Sequence, residues 1–237
     1  MPQSDVLVIG AGPTGLILAL WLTKLGVKLR IIDKTAEPGT TSRALAIHAR
    51  TLELYRQLDL ADLVVARGHK VQAVRLWVKG KPQARVSFAE IASDLTPYAF
   101  LQIFPQDEHE RLLIATLEKL GVSVERCTEL LGYRDEGSRV VARLRRPDGR
   151  EETCEAAYIA GCDGAHSIVR ETMGTGYPGG TYEHPVLCRG CPSLRPSGRR
   201  GTPCRSRGGR PPRGISAGRK RTCALDRHGA RRTRQAC

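Results

Sequence analysis

The chain has 237 residues, 38 of them Lys or Arg and 24 Asp or Glu, giving a formal net charge of +14. That charge sits in one place: residues 1–184 carry 23 basic and 23 acidic side chains, whereas residues 185–237 carry 15 basic residues and one acid, Asp226. The balanced part is rich enough in Leu, Val, Ile and Ala to bury a core, and its longest apolar stretch, Leu16–Leu22, is far too short to span a bilayer.

From the N-terminus, Asp5–Ile9 is a short β-branched run that stops at Gly10, as a buried parallel strand does. Pro13 suits the first turn of a helix, whose apolar face is Leu16, Leu18, Leu20, Trp21 and Leu25 and whose end is Gly26. Lys28–Ile32 makes a second strand, ending at Asp33, so the chain opens on a βαβ unit. The spacing then predicts an amphipathic helix over Ser42–Leu58. Antiparallel strands are predicted at Val71–Val78 and Arg85–Ala89, and a second helix over Gln106–Leu120, closed by Gly121. Val122–Arg126, Glu129–Arg134 and Val140–Arg145 read as strands. Pro147–Gly149 is a turn and Tyr158–Ala160 a buried strand stopped by Gly161. No signal peptide is read at the start, so a cytoplasmic protein is expected, with Cys127, Cys154 and Cys162 as free thiols.

The first motif is Gly10-Ala-Gly12-Pro-Thr-Gly15, between a strand and a helix. Gly10 permits the tight turn, Gly12 lets a pyrophosphate approach the backbone, and Gly15 lets the helix pack on the strand. Bare helix N–H groups and the helix dipole favour a phosphate there. Asp33, 18 residues after Gly15, stands where a carboxylate accepts hydrogen bonds from a ribose, which favours FAD or NAD over NADP.

With Ser42-Arg43-Ala44 and Arg50-Thr-Leu-Glu53, this opening resembles the FAD-dependent aromatic hydroxylases, the single-component flavoprotein monooxygenases of phenol hydroxylase and para-hydroxybenzoate hydroxylase type. The resemblance continues in Gln106-Asp-Glu-His-Glu-Arg-Leu-Leu113 and in Ala160-Gly-Cys-Asp-Gly-Ala-His-Ser-Ile-Val-Arg170, and covers residues 5–184. It implies that Arg43 lies beside the flavin pyrophosphate, that Gln106 contacts the cofactor, and that Asp163 is associated with both FAD and the nicotinamide donor. The expected cofactor set is therefore Gly10, Gly12, Gly15, Asp33, Arg43, Gln106 and Asp163. No catalytic side chain is assigned, because the flavin carries the chemistry. The histidines show neither metal spacing nor a nucleophile partner, so no metal is expected. The implied fold class is α/β: a Rossmann-like FAD-binding domain over 1–184, incomplete, with inserted antiparallel substrate-domain strands beginning at about 71–105. The implied reaction is hydroxylation of a small phenol-like aromatic substrate with O2, through a flavin C4a-hydroperoxide, with NAD(P)H as electron donor. A reductase or epoxidase on the same fold is the alternative enzyme.

At Gly179–His184 the family pattern still holds; from Pro185 it breaks. The codons allowed for Pro185–Pro192, read one base later, admit Pro-Phe-Tyr-Val-Ala-Asp-Val, the kind of strand the family has there. The 185–237 tail therefore reads as a frameshift product, disordered because it is charged and poor in apolar residues. A nucleic-acid partner for its arginines is disfavoured, since the tail has no aromatic residue to stack bases. Without the family's later Gly-Asp motif and most of the substrate sheet, the polypeptide is expected to hold FAD weakly or not at all and not to turn over.

Overall fold

The computed structural model describes residues 4–39, 46–78 and 80–180. Arg43, the predicted helix start at Ser42 and the 185–237 tail lie outside the described residues. The chain divides into two compact units, one built from the segments Met1–Leu45 and Pro105–Gly180, the other from Ala46–Phe104.

The first unit is α/β. Its six-stranded sheet runs in the order Val124–Glu125, Leu29–Ile32, Ser4–Ile9, Glu151–Gly161, Val140–Arg145, Glu129–Asp135. The first four are parallel neighbours and the last two are antiparallel. Strand alternation sorts the side chains. Leu7, Ile9 and Ile32 join Leu130, Ala142, Leu144, Cys154, Ala156 and Val169 in one buried cluster. Val8 and Ile31 point to the opposite face and are fully buried. The helices Pro13–Lys24 and Gln106–Lys119 pack on each other and bury Leu16, Leu20, Leu113 and Leu117. Gly26 and Gly121, both at positive φ, follow these two helices.

Across the parallel strands runs an ion-pair network. Arg30 donates from Nε and Nη2 to the two oxygens of Glu125 (2.8 and 2.7 Å), and again from Nη2 to Glu152 (2.7 Å). Arg146 donates to the other oxygen of Glu152. Arg146, followed by Arg30, holds the Glu152 carboxyl below the usual range, and hydrogen bonding to Glu125 raises the Arg30 guanidinium above its own.

The second unit holds a three-stranded sheet, ordered Ala46–Ile47, Leu101–Ile103, His69–Val71, and a separate hairpin of Ala73–Val78 and Lys81–Ser87. Its helices are Ala49–Arg56, Ala61–Arg67 and Phe88–Ala92. Gln102 is fully buried and donates from Nε2 to the carbonyls of Val64 (2.9 Å) and Val65 (3.3 Å). On the hairpin, Val74 pairs with Val86 and Leu76 with Ala84, and Val74, Leu76, Val78 and Val86 are all exposed.

Three expectations need correction. The predicted 42–58 helix is shorter: Ala46 and Ile47 pair with Ile103 and Gln102, and the helix starts only at Ala49. Tertiary pairing overrides a weak local preference there. The buried strand predicted at Tyr158–Ala160 is in fact Glu151–Gly161, eleven residues long, pairing antiparallel with Val140–Arg145 and then parallel with Ser4–Ile9; its buried residues are Cys154 and Ala156, while Tyr158 is exposed. Cys154 and Cys162 are free thiols, but Cys127 is disulfide-bonded.

Candidate functional site

At the carboxyl ends of the parallel strands of the first unit lies a cleft of about 410 Å³. Open α/β sheets place ligands at this end. Gly10, Gly12, Asp33, Gln106 and Asp163 all line it, together with Thr14, Thr35, Cys162, His166 and Ile168.

Two turns meet there. Ile9 accepts a hydrogen bond from the Cys162 N–H (2.7 Å), and Gly10 donates to the Ile32 carbonyl (2.8 Å). Gly10 has φ +100°, and a Cβ on it would lie 2.5 Å from the Cys162 carbonyl oxygen. Gly15 does not line the cleft: a Cβ there would overlap the Gly10 carbonyl oxygen, so its role is to let helix and turn close on each other. A Cβ on Gly12 would meet nothing within 4 Å, so the backbone is open to a ligand at that point. The helix beginning at Pro13 has no side-chain cap and no acid in its first turn. Its first N–H groups and the positive end of its dipole suit an anion.

Asp33 stands at the end of the second strand. Its Oδ2 accepts from the Ala11 N–H (2.7 Å); Oδ1 accepts from the Thr35 N–H (2.8 Å) and hydroxyl (2.7 Å). A carboxylate offers about four acceptor directions, so one remains for a ribose hydroxyl. Arg126 flanks the group, with Nη1 3.9 Å from Asp33 Oδ1 and 3.3 Å from Thr35 Oγ1. An open glycine backbone, an uncapped helix start and an acceptor beyond them fit an adenosine pyrophosphate.

Asp163 lines the cleft, but its carboxylate is engaged locally. Oδ1 accepts from the Ser167 hydroxyl, and Oδ2 from the N–H groups of Ile168 (2.8 Å) and Val169 (3.4 Å). It thus organises the start of the Ile168–Thr172 helix. Arg170 braces the same turn, donating to the carbonyls of Gly164 (3.3 Å) and Ala165 (2.6 Å). Burial, with Asp163 beside it, pushes the Cys162 thiol up, so it lines the cleft as a neutral group.

Gln106 donates from Nε2 to Glu110 Oε1 at 2.8 Å. Glu110 is only 5 % exposed and was not anticipated; in the sequence it is one more polar residue on a helix. His166 is exposed and lines the cleft. Among the described residues no group of three or more His, Cys, Asp or Glu could hold a metal ion, and no helix is long and apolar enough to cross a membrane.

A strand, a glycine turn, an uncapped helix and a strand-end carboxylate define a dinucleotide-binding protein of the doubly wound class. Residues 3–187 match the family model described as FAD binding domain, and the chain belongs to that family. It is 42 % identical over 178 residues to 6-methylpretetramide 4-monooxygenase of Streptomyces rimosus, covering 73 % of this chain and 31 % of that protein. It is 33 % identical over 187 residues to pentachlorophenol 4-monooxygenase of Sphingobium chlorophenolicum, covering 78 % and 34 %. Among solved structures, the ternary complex of aklavinone-11 hydroxylase with FAD and aklavinone superposes with a TM-score of 0.67 at 32 % identity, covering 80 % of this chain and 37 % of that one. The chain thus spans about a third of the length of these relatives.

Proposed function

We propose that this polypeptide is the nucleotide-holding part of an FAD-dependent monooxygenase acting on a small phenol-like aromatic compound, with O2 as co-substrate and NAD(P)H as electron donor. The observation that carries the reading is the cleft itself, where Gly12 leaves the backbone open beside an uncapped helix start and Asp33 follows at the end of the next strand. The names of the relatives, 6-methylpretetramide 4-monooxygenase and pentachlorophenol 4-monooxygenase, support a monooxygenase, and the second supports a phenol-like substrate.

In this reading the helix N–H groups after Gly12 bind the pyrophosphate, and Asp33 orients the adenosine ribose. Gln106, across the cleft, offers its amide to the cofactor. Asp163, Ser167 and Arg170 hold the shape of the second turn, the Cys162 N–H ties it to the first through the Ile9 carbonyl, and Arg43 completes the expected set from outside the described residues. When bound, the flavin supplies the redox and oxygen-transfer chemistry. The protein's part is to bind, orient and keep water away.

We read residues 1–184 as an incomplete FAD-binding domain that includes the start of a substrate-domain sheet at about 71–105, and 185–237 as an out-of-frame tail, so the chain alone holds FAD weakly and does not complete a hydroxylation. Titrating the purified chain with FAD, ADP and FMN tests the site. FAD and ADP are expected to bind, FMN is not, and Asp33→Ala weakens the first two; FMN binding as well as FAD, or no FAD binding, overturns the assignment. Resequencing codons 180–200 tests the tail: a single base that restores Phe-Tyr-Val-Ala-Asp-Val supports the frame reading, and a sound frame removes it.

A further inference from the structure

We propose that Glu110 is a positioning residue for the cofactor cleft, acting by fixing the Gln106 amide through a buried carboxylate that the Gly39 N–H holds in place; this rests on the flavin reading of the cleft. Glutamate is almost never fully buried unless paired, yet Glu110 is 5 % exposed. What pairs it is two N–H donors on different segments: Gln106 Nε2 on Oε1 at 2.8 Å and the Gly39 N–H on Oε2 at 3.1 Å.

The chemistry of the pair sets a direction. A carboxylate only accepts, so Gln106 must turn its NH2 end toward Glu110. An amide at a cofactor site can otherwise lie either way round. Here its carbonyl and amine ends are assigned by the buried acid one helical turn away. The other oxygen of this carboxylate is held by the N–H of Gly39, four residues after the cleft residue Thr35. Asp107 and Glu108 already supply negative charge to the first turn of this helix, so the dipole does not require a further buried acid.

The test uses Glu110→Gln, which keeps shape and removes the charge, with Gln106→Leu and the double variant, all in the full chain. In ligand-free protein, the 15N side-chain amide signals of Gln106 are expected to shift strongly in E110Q. An unmoved Gln106 amide overturns the proposal. FAD affinity is expected to fall roughly tenfold in E110Q and in Q106L, the scale of one misdirected polar contact. Because Glu110 acts through Gln106, the double variant should bind no more than about twofold worse than Q106L. Independent losses that combine to about a hundredfold mean a purely structural carboxylate and overturn the proposal. If the parent chain itself binds no FAD, the flavin reading falls and the positioning role falls with it. That case is told apart from the others by the parent titration alone.

Discussion

The six-stranded sheet of the first unit and the hairpin of the second treat their apolar residues in opposite ways. In the dinucleotide unit, Leu7, Val8 and Ile31 are fully buried, and even charged strand residues such as Arg30 and Glu152 find partners. In the 46–104 unit the hairpin leaves Val74, Leu76, Val78 and Val86 exposed, and its two strands pair only with each other among the described residues. A two-stranded hairpin is marginally stable alone. Local sequence signals therefore build a self-sufficient layer in the first case and only a motif in the second.

The sharpest way to break this contrast is at the glycine turn. Gly15→Val drives a branched side chain into the Gly10 carbonyl and Cys162, and is expected to cost more than about 4 kcal/mol, reading as loss of cooperative unfolding by circular dichroism. Next, Leu144→Ala in the buried cluster should cost about 3 kcal/mol in urea unfolding. A third test is pH. Burial holds His109 down at about 4, against 6.5 for a free imidazole. The folded state favours the neutral ring, so this stability is present above pH 6.5 and is lost as pH falls toward 4. The loss is on the order of 2–3 kcal/mol in unfolding free energy, and His109→Leu should flatten that slope. Glu152 has the same sign at lower pH: its depressed carboxyl contributes above the ordinary glutamate range and fails only below it. The smallest effect sharpens the contrast: Leu76→Thr on the exposed hairpin face should change stability by less than about 0.5 kcal/mol.

The sequence made the dinucleotide turn legible because its glycines are required by backbone geometry, and a residue type imposed by sterics can be read without a structure. Asp33 was legible for a related reason: a strand end fixes where it stands. Ala46–Ile47 was not, because two residues carry no periodicity and their pairing with Ile103 and Gln102 is entirely non-local. The long Glu151–Gly161 strand was half hidden by Glu151, Glu152 and Glu155, which read as solvent-facing. They are matched by arginines: Arg143 on the neighbouring Val140–Arg145 strand, Arg139 and Arg146 just outside that strand's ends, and Arg30 one strand beyond Ser4–Ile9. Glu110 carried no signal, since nothing in a helical pattern marks a carboxylate as buried. For Asp163 the resemblance supplied a cofactor association, while the geometry shows the helix-capping contacts that explain an acid at that spot.

The Glu151–Gly161 strand also sets a timetable. The strand Ser4–Ile9 has one partner close by, Leu29–Ile32, and the other about 150 residues later in the chain, and the Ile9 carbonyl meets the Cys162 N–H only when that later partner docks. Closing so long a loop is slow compared with forming the flanking helices. A nascent chain therefore carries its glycine turn with one wall of the cleft absent until those intervening residues have been made. Completion of the cleft is confined to the last stage of the unit's folding, and any delay there lengthens the time its apolar strands stand open to other chains.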